Sequence, residues 1–292
     1  MKIVHRISIV LFFLMFSNSV SSTIIGADGR IKLTTEEKEI PEFRQTGIVN
    51  IGGEGFGSGI VTGANCDVVL TAAHLIRYNQ EDARYFNRRI GELRESWRLN
   101  FVPDPSRAII GYQASLVISG FDDIENIRLL GSNEIAHQHD WSVLQLSRPA
   151  MRQCVQIKYI RDKTTCAGPI RIPAVHIDAY DDVFINDIHA DPCFIHPTKQ
   201  KNLILHDCDT KDGASGAPLF CEVDSDLYFI GINAGFAVPD SNYEEPDKGM
   251  PGVPFNSQNH VNFAVPLHKD FANALEDALK QSEQRRMLKN RW

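Results

Sequence analysis

The chain has 292 residues, 43% of them hydrophobic and 23% charged, and a formal net charge of −7. That length and apolar content suffice for a full core in one or two packed units and exclude a chain disordered throughout. The acidic balance implies no nucleic-acid partner, because Arg84, Arg88, Arg89, Arg94 and Arg98 are interleaved with acids, as on a solvated surface.

Lys2, His5 and Arg6 precede an apolar run from Ile9 to Phe16, followed by small polar residues up to Ser22. This pattern predicts a signal peptide over residues 1–22, since the run is less than half of the roughly 20 apolar residues that a membrane span needs. The mature protein is then expected to be secreted or periplasmic, without a stable membrane anchor. Loss of Lys2 and Arg6 would take the charge from −7 to −9. Residues 23–45 follow as a propeptide or arm. The chain holds six cysteines, an even number in an exported protein, which predicts three disulfides in one of fifteen pairings.

From Thr46 onward the sequence reads as short strands between turns. They are Gly47–Ile51, Gly57–Thr62, Val68–Thr71, Trp97–Val102, Ser142–Leu146, Leu203–His206, Leu219–Val223, Tyr228–Asn233 and Asn262–Val265. Their β-branched and aromatic content fits an all-β, antiparallel protein better than βαβ units. One long helix is expected at Leu267–Gln284, where Phe271, Leu275, Ala278 and Leu279 recur at helical spacing. Ser241–Asn259, rich in Gly and Pro, reads as a long loop.

Three segments carry chemistry jointly. Gly57-Ser58-Gly59-Ile60-Val61 leads to Val69-Leu70-Thr71-Ala72-Ala73-His74, an apolar strand ending at a histidine. His139-Asp140-Trp141-Ser142-Val143-Leu144 sets an acid before an alternating strand. Gly213-Ala214-Ser215-Gly216-Ala217-Pro218-Leu219 places a serine in a glycine-rich turn. A serine hydroxyl needs a base that titrates near neutrality, and an imidazole serves only when a carboxylate fixes its tautomer. His74, Asp140 and Ser215 are therefore the expected catalytic residues. Asp122, Asp123 and Asp207 are rival acids, but Asp140 alone lies between the other two segments and opens an alternating strand. His137 and His139 form a His-x-His pair, yet no further ligands stand at metal spacing, so neither a metal nor a cofactor is expected. His206-Asp207-Cys208 reads likewise as strand edge plus disulfide.

In chain order and spacing these segments resemble the His, Asp and Ser boxes of chymotrypsin-type serine peptidases, and the bacterial glutamyl-endopeptidase-like branch more than the digestive trypsins. The resemblance implies two six-stranded antiparallel β-barrels with a C-terminal helix. The first would span residues 46–160 with His74 and Asp140, and the second residues 161–292 with Ser215. It implies an endopeptidase acting on protein or peptide substrates, with the N–H groups of Gly213 and Ser215 as the oxyanion hole. It also implies bridges Cys66–Cys154, Cys166–Cys221 and Cys193–Cys208.

By resemblance, Asp209 stands where an acid selects Arg or Lys on the acyl side of the cut. The competing role is a bond to turn amides. Thr210 matches a pocket position of the glutamyl endopeptidases, but Asn233 replaces their pocket histidine. Asn233, Ala234 and Gly235 would run beside the substrate backbone. Ala214 stands where trypsins keep the aspartate that pairs with a new N-terminus, so Ile24-Ile25-Gly26 lacks its usual partner. A non-catalytic binding protein on the same fold is the alternative from another class. The sequence does not specify an oligomeric state.

Overall fold

A computed structural model of the chain describes residues 24–25, 28–52, 55–78, 88–89, 92–94, 99–103, 105, 111–122, 138–186, 189, 192–198, 202–237 and 261–289. The expected signal peptide, the Ser241–Asn259 loop, Trp97, Asp123 and His137 lie outside these residues.

The chain enters through strand β1 (Arg30–Lys32) and the one-turn helix α1 (Pro41–Arg44). Pro41 sits in the first turn of α1, where a missing N–H costs nothing. Six strands then close a barrel in the order β2-β3-β4-β7-β6-β5: β2 (Thr46–Ile51), β3 (Phe56–Thr62), β4 (Val68–Thr71), β5 (Leu99–Val102), β6 (Tyr112–Ser119) and β7 (Ser142–Leu146). Val49, Val61, Val69, Leu99, Phe101 and Leu144 fill it.

The second half holds β8 (Ile170–Arg171), β9 (Ala174–His176), β10 (Ala179–Asn186), β11 (Ile195–His196), β12 (Ile204–His206), β13 (Pro218–Val223), β14 (Asp226–Ala237) and β15 (Val261–Pro266). Here the structure differs from a second closed barrel. Six of these strands form an open sheet in the order β11-β12-β15-β14-β13-β8, while β9 and β10 pair with β1 in a separate three-stranded sheet. Pro173 sits between β8 and β9 and has no N–H to carry a ladder across the junction.

Helix α2 (Lys269–Lys289) closes the chain, with Phe271, Leu275, Ala278 and Leu279 buried along one stripe. It crosses back onto β4 and β7 of the first barrel, where Phe271 stacks on Trp141 at 4.8 Å. Polar bonds fix its far end: Ser282 Oγ donates to Asp67 Oδ1 at 2.6 Å and Arg285 Nε to Asp67 Oδ2 at 2.6 Å. Among the described residues no helix is long and apolar enough to cross a membrane. Disulfides join Cys66–Cys154, Cys166–Cys221 and Cys193–Cys208, with Cα separations of 5.5, 5.8 and 4.8 Å.

Candidate active site

Strand register brings the histidine to the acid. β4 and β7 run antiparallel with Leu70 opposite Val143 and Thr71 opposite Ser142, so the residues just past Thr71 and just before Ser142 leave the barrel at the same end. His74 lies in a 3-10 turn, Ala73–Leu75, beyond that end. Its backbone N–H donates to Asp140 Oδ1 at 2.8 Å, and its Nδ1 lies 2.7 Å from Asp140 Oδ2. Both residues are buried. A carboxylate at that position makes Nδ1 the protonated nitrogen and leaves the Nε2 lone pair to act as a base. The rival acids go elsewhere. Asp122 accepts the Ser119 amide and pairs with Arg77, and Asp207 accepts the Phe194 amide and pairs with His196.

Ser215 comes from the turn between β12 and β13, and the first barrel holds this turn directly. Ser58 N, on β3, donates to the Ser215 carbonyl at 2.7 Å. A Cβ on Gly57 would lie 2.3 Å from Leu75 and 2.8 Å from the Ser215 carbonyl, so only glycine lets the histidine turn and the serine turn meet there. Gly216, at φ +84°, is pressed against the Ser58 carbonyl and Thr71.

Within the serine turn the amides divide into two groups. Ala214 N donates to the Lys211 carbonyl, Gly216 N to Asn233 and Ala217 N to Ala214. Among the described residues no backbone acceptor takes the N–H of Gly213 or Ser215. Ile177 N donates to the Asp212 carbonyl at 2.7 Å, and in a trans peptide this turns the Gly213 N–H the opposite way. Gly213 has φ +98°, a conformation in which a side chain is strained. Two unclaimed amides on one tight turn are what a developing oxyanion needs.

No protein-family model and no curated protein matches the sequence. Among solved structures, a Glu endopeptidase in complex with MPD aligns with a TM-score of 0.59 at 16% identity, covering 88% of this chain and 100% of the other. A thermostable serine protease, AL20, from an extremophilic microorganism aligns with a TM-score of 0.50 at 13% identity, covering 82% and 97%. The fold is chymotrypsin-like.

Within this chymotrypsin-like fold the residues expected to contact substrate are placed as follows. Asp209 is 3% exposed, and its carboxylate accepts Ile25 N at 2.6 Å and Gly29 N at 2.7 Å. Both oxygens thus meet amides of the N-terminal arm. Thr210 is buried, with no partner for its hydroxyl among the described residues. Asn233 braces the serine turn: Nδ2 donates to the Ala214 carbonyl at 3.1 Å and Oδ1 faces His206 Nε2 at 3.1 Å. Burial drives His206 down to a pKa of about 4, so it stays neutral and donates from Nε2. Pairing of β14 with β13 stops at Ile232, and the pairing with β15 bulges between Asn233 and Gly235. The three side chains of His206-Asp207-Cys208 point to three different partners, Asn233, His196 and Cys193.

Sequence reasoning missed Ser58 and His176. The first stands inside a quoted motif and the second in an unremarkable strand, and what distinguishes both is tertiary contact with the serine turn.

Proposed function

We propose that the protein is a secreted serine endopeptidase in which Ser215 is the nucleophile, His74 the general base and Asp140 the orienting acid. The observation that carries this reading is the Asp140 carboxylate, which takes both the backbone N–H and the Nδ1–H of His74 beside a serine turn with two unclaimed amides. His74 Nε2 takes the Ser215 hydroxyl proton as Oγ attacks the scissile carbonyl. The negative oxygen then forms between the Gly213 and Ser215 amides. Collapse expels the amine, which takes the proton from His74, and leaves an acyl ester on Ser215. Water activated by the same imidazole hydrolyses that ester.

His74 and Asp140 fall in the unit of residues 46–160 and Ser215 in that of residues 161–292, so neither half acts alone. Asn233 N and its carbonyl are bonded to Ala217 and Gly216, and the stretch Ala234–Gly235 just past them suits a substrate backbone laid down as an added strand. Three disulfides support export to an oxidising compartment. No Arg or Lys preference is part of this proposal. Acyl-side Glu is the alternative that Thr210 leaves open. A fluorophosphonate probe tests the reading: it should label the wild type and leave Ser215→Ala unlabelled. Equal labelling of both, or of neither, would defeat it.

A further inference from the structure

The Gly213 amide can serve an oxyanion only if the loop before Ser215 is held in one orientation, and its three residues are tied in succession to one strand edge. Lys211 N donates to His176 Nδ1 at 3.2 Å. The Asp212 carbonyl accepts Ile177 N at 2.7 Å. The Gly213 carbonyl accepts Ser58 Oγ at 2.8 Å, and the same hydroxyl accepts Val175 N at 2.9 Å. The edge Val175–Ile177 thus contributes two amides and one imidazole, with Ser58 bridging from the closed barrel.

Resting on the endopeptidase reading, we propose that Ser58 and His176 are positioning residues that keep the Gly213 amide turned toward the acyl oxygen. Neither touches the reacting atoms. Ser58 is fully buried, and each of its polar groups has a task in this contact: N to the Ser215 carbonyl, Oγ to Val175 and Gly213, and the carbonyl to Thr71 Oγ1 at 2.7 Å. His176 is 2% exposed, its ring set edge-on to Phe184 at 6.1 Å. Burial, with Arg30 nearby, pushes its pKa to about 3, against weaker opposing effects from Asp178 and Asp28. It therefore remains an uncharged acceptor for the Lys211 amide throughout the range in which His74 works as a base.

Full-length wild type, Ser58→Ala, His176→Phe and His176→Asn would be compared on a fluorogenic peptide built from a casein site that the wild type cuts. Loss of the hydroxyl or of the acceptor should lower kcat about tenfold to a hundredfold, less than the roughly 10²–10³-fold lost when an oxyanion donor is removed outright, and leave KM within about twofold. Because Asn Oδ1 stands where His Nδ1 stood, His176→Asn should recover most of the kcat lost in His176→Phe. Folded variants with wild-type kcat, or an Asn variant as slow as Phe, would overturn the assignment. If Ser58→Ala does not fold, the two His176 variants decide. A wild type that no fluorophosphonate labels would overturn the endopeptidase reading itself, and this assignment with it. A labelled wild type with unaffected variants overturns only the positioning role.

Discussion

Replacing Asp209 by Asn separates the two roles open to that carboxylate. The side chain is 3% exposed and accepts the Ile25 and Gly29 amides at 2.6 and 2.7 Å. Asn keeps one acceptor but turns an N–H2 toward the other amide. One charge-assisted bond is lost and a buried donor is left unsatisfied, at a cost of about 2–4 kcal/mol. The described residues of 24–32 are attached mainly through this carboxylate, the β1–β10 pairing and the ion pairs Arg30–Asp178 and Lys32–Asp182, so the cost should appear first as local opening of the arm. Limited proteolysis followed by mass spectrometry should show the arm cut at least tenfold faster in Asp209→Asn. Cleavage preference across a peptide library should stay as in the wild type. An arm as well protected as before, together with selective loss of cutting after Arg or Lys, would refute this reasoning and make Asp209 a pocket residue.

Gly216→Ala would set a Cβ 2.2 Å from the Ser58 carbonyl and from Thr71 Oγ1 at φ +84°, and should cost about 2–5 kcal/mol and most fluorophosphonate labelling; an unchanged melting temperature would contradict it. Asp67→Ala removes the acceptor shared by Ser282 and Arg285 and should lower stability by about 2–4 kcal/mol in urea titration, with the Arg285 side chain 34% exposed and so contributing the smaller part; a change under about 0.5 kcal/mol would show that the helix is held by its apolar stripe alone. His176 and His206 titrate at about 3 and about 4 in the folded protein and near 6.5 when unfolded. The unfolded chain therefore takes up these protons first on acidification. Their stabilisation is full above about pH 6.5 and falls toward pH 4, by on the order of 3 kcal/mol for each residue. Denaturant unfolding that is flat between pH 7 and 4.5 would contradict this.

How far the sequence carried depended on where the partners of each residue lay. His74 and Asp140 were legible because each borders a strongly apolar strand, and the pairing of β4 with β7 does the rest. The closing helix was legible from its stripe, and it begins at Lys269, two residues after the expected start, because β15 runs on to Pro266. Strands β8, β9 and β11 are only two or three residues long, too short for any period to show. Counting back from Ser215 located Asp209 but could not reveal that its partners lie 180 and 184 residues away in the arm. That docking also bears on Ala214. The serine turn is formed here with Ala214 N bonded to the Lys211 carbonyl.

The central claim is that one histidine from the closed barrel and one serine from the second half of the chain act as a single unit. A double-mutant cycle on peptide hydrolysis tests it most directly. Ser215→Ala and His74→Ala should each lower kcat by roughly 10⁶-fold, and the double variant should be scarcely slower than either. Losses that multiply, or a single variant that retains most of its turnover, would contradict the account.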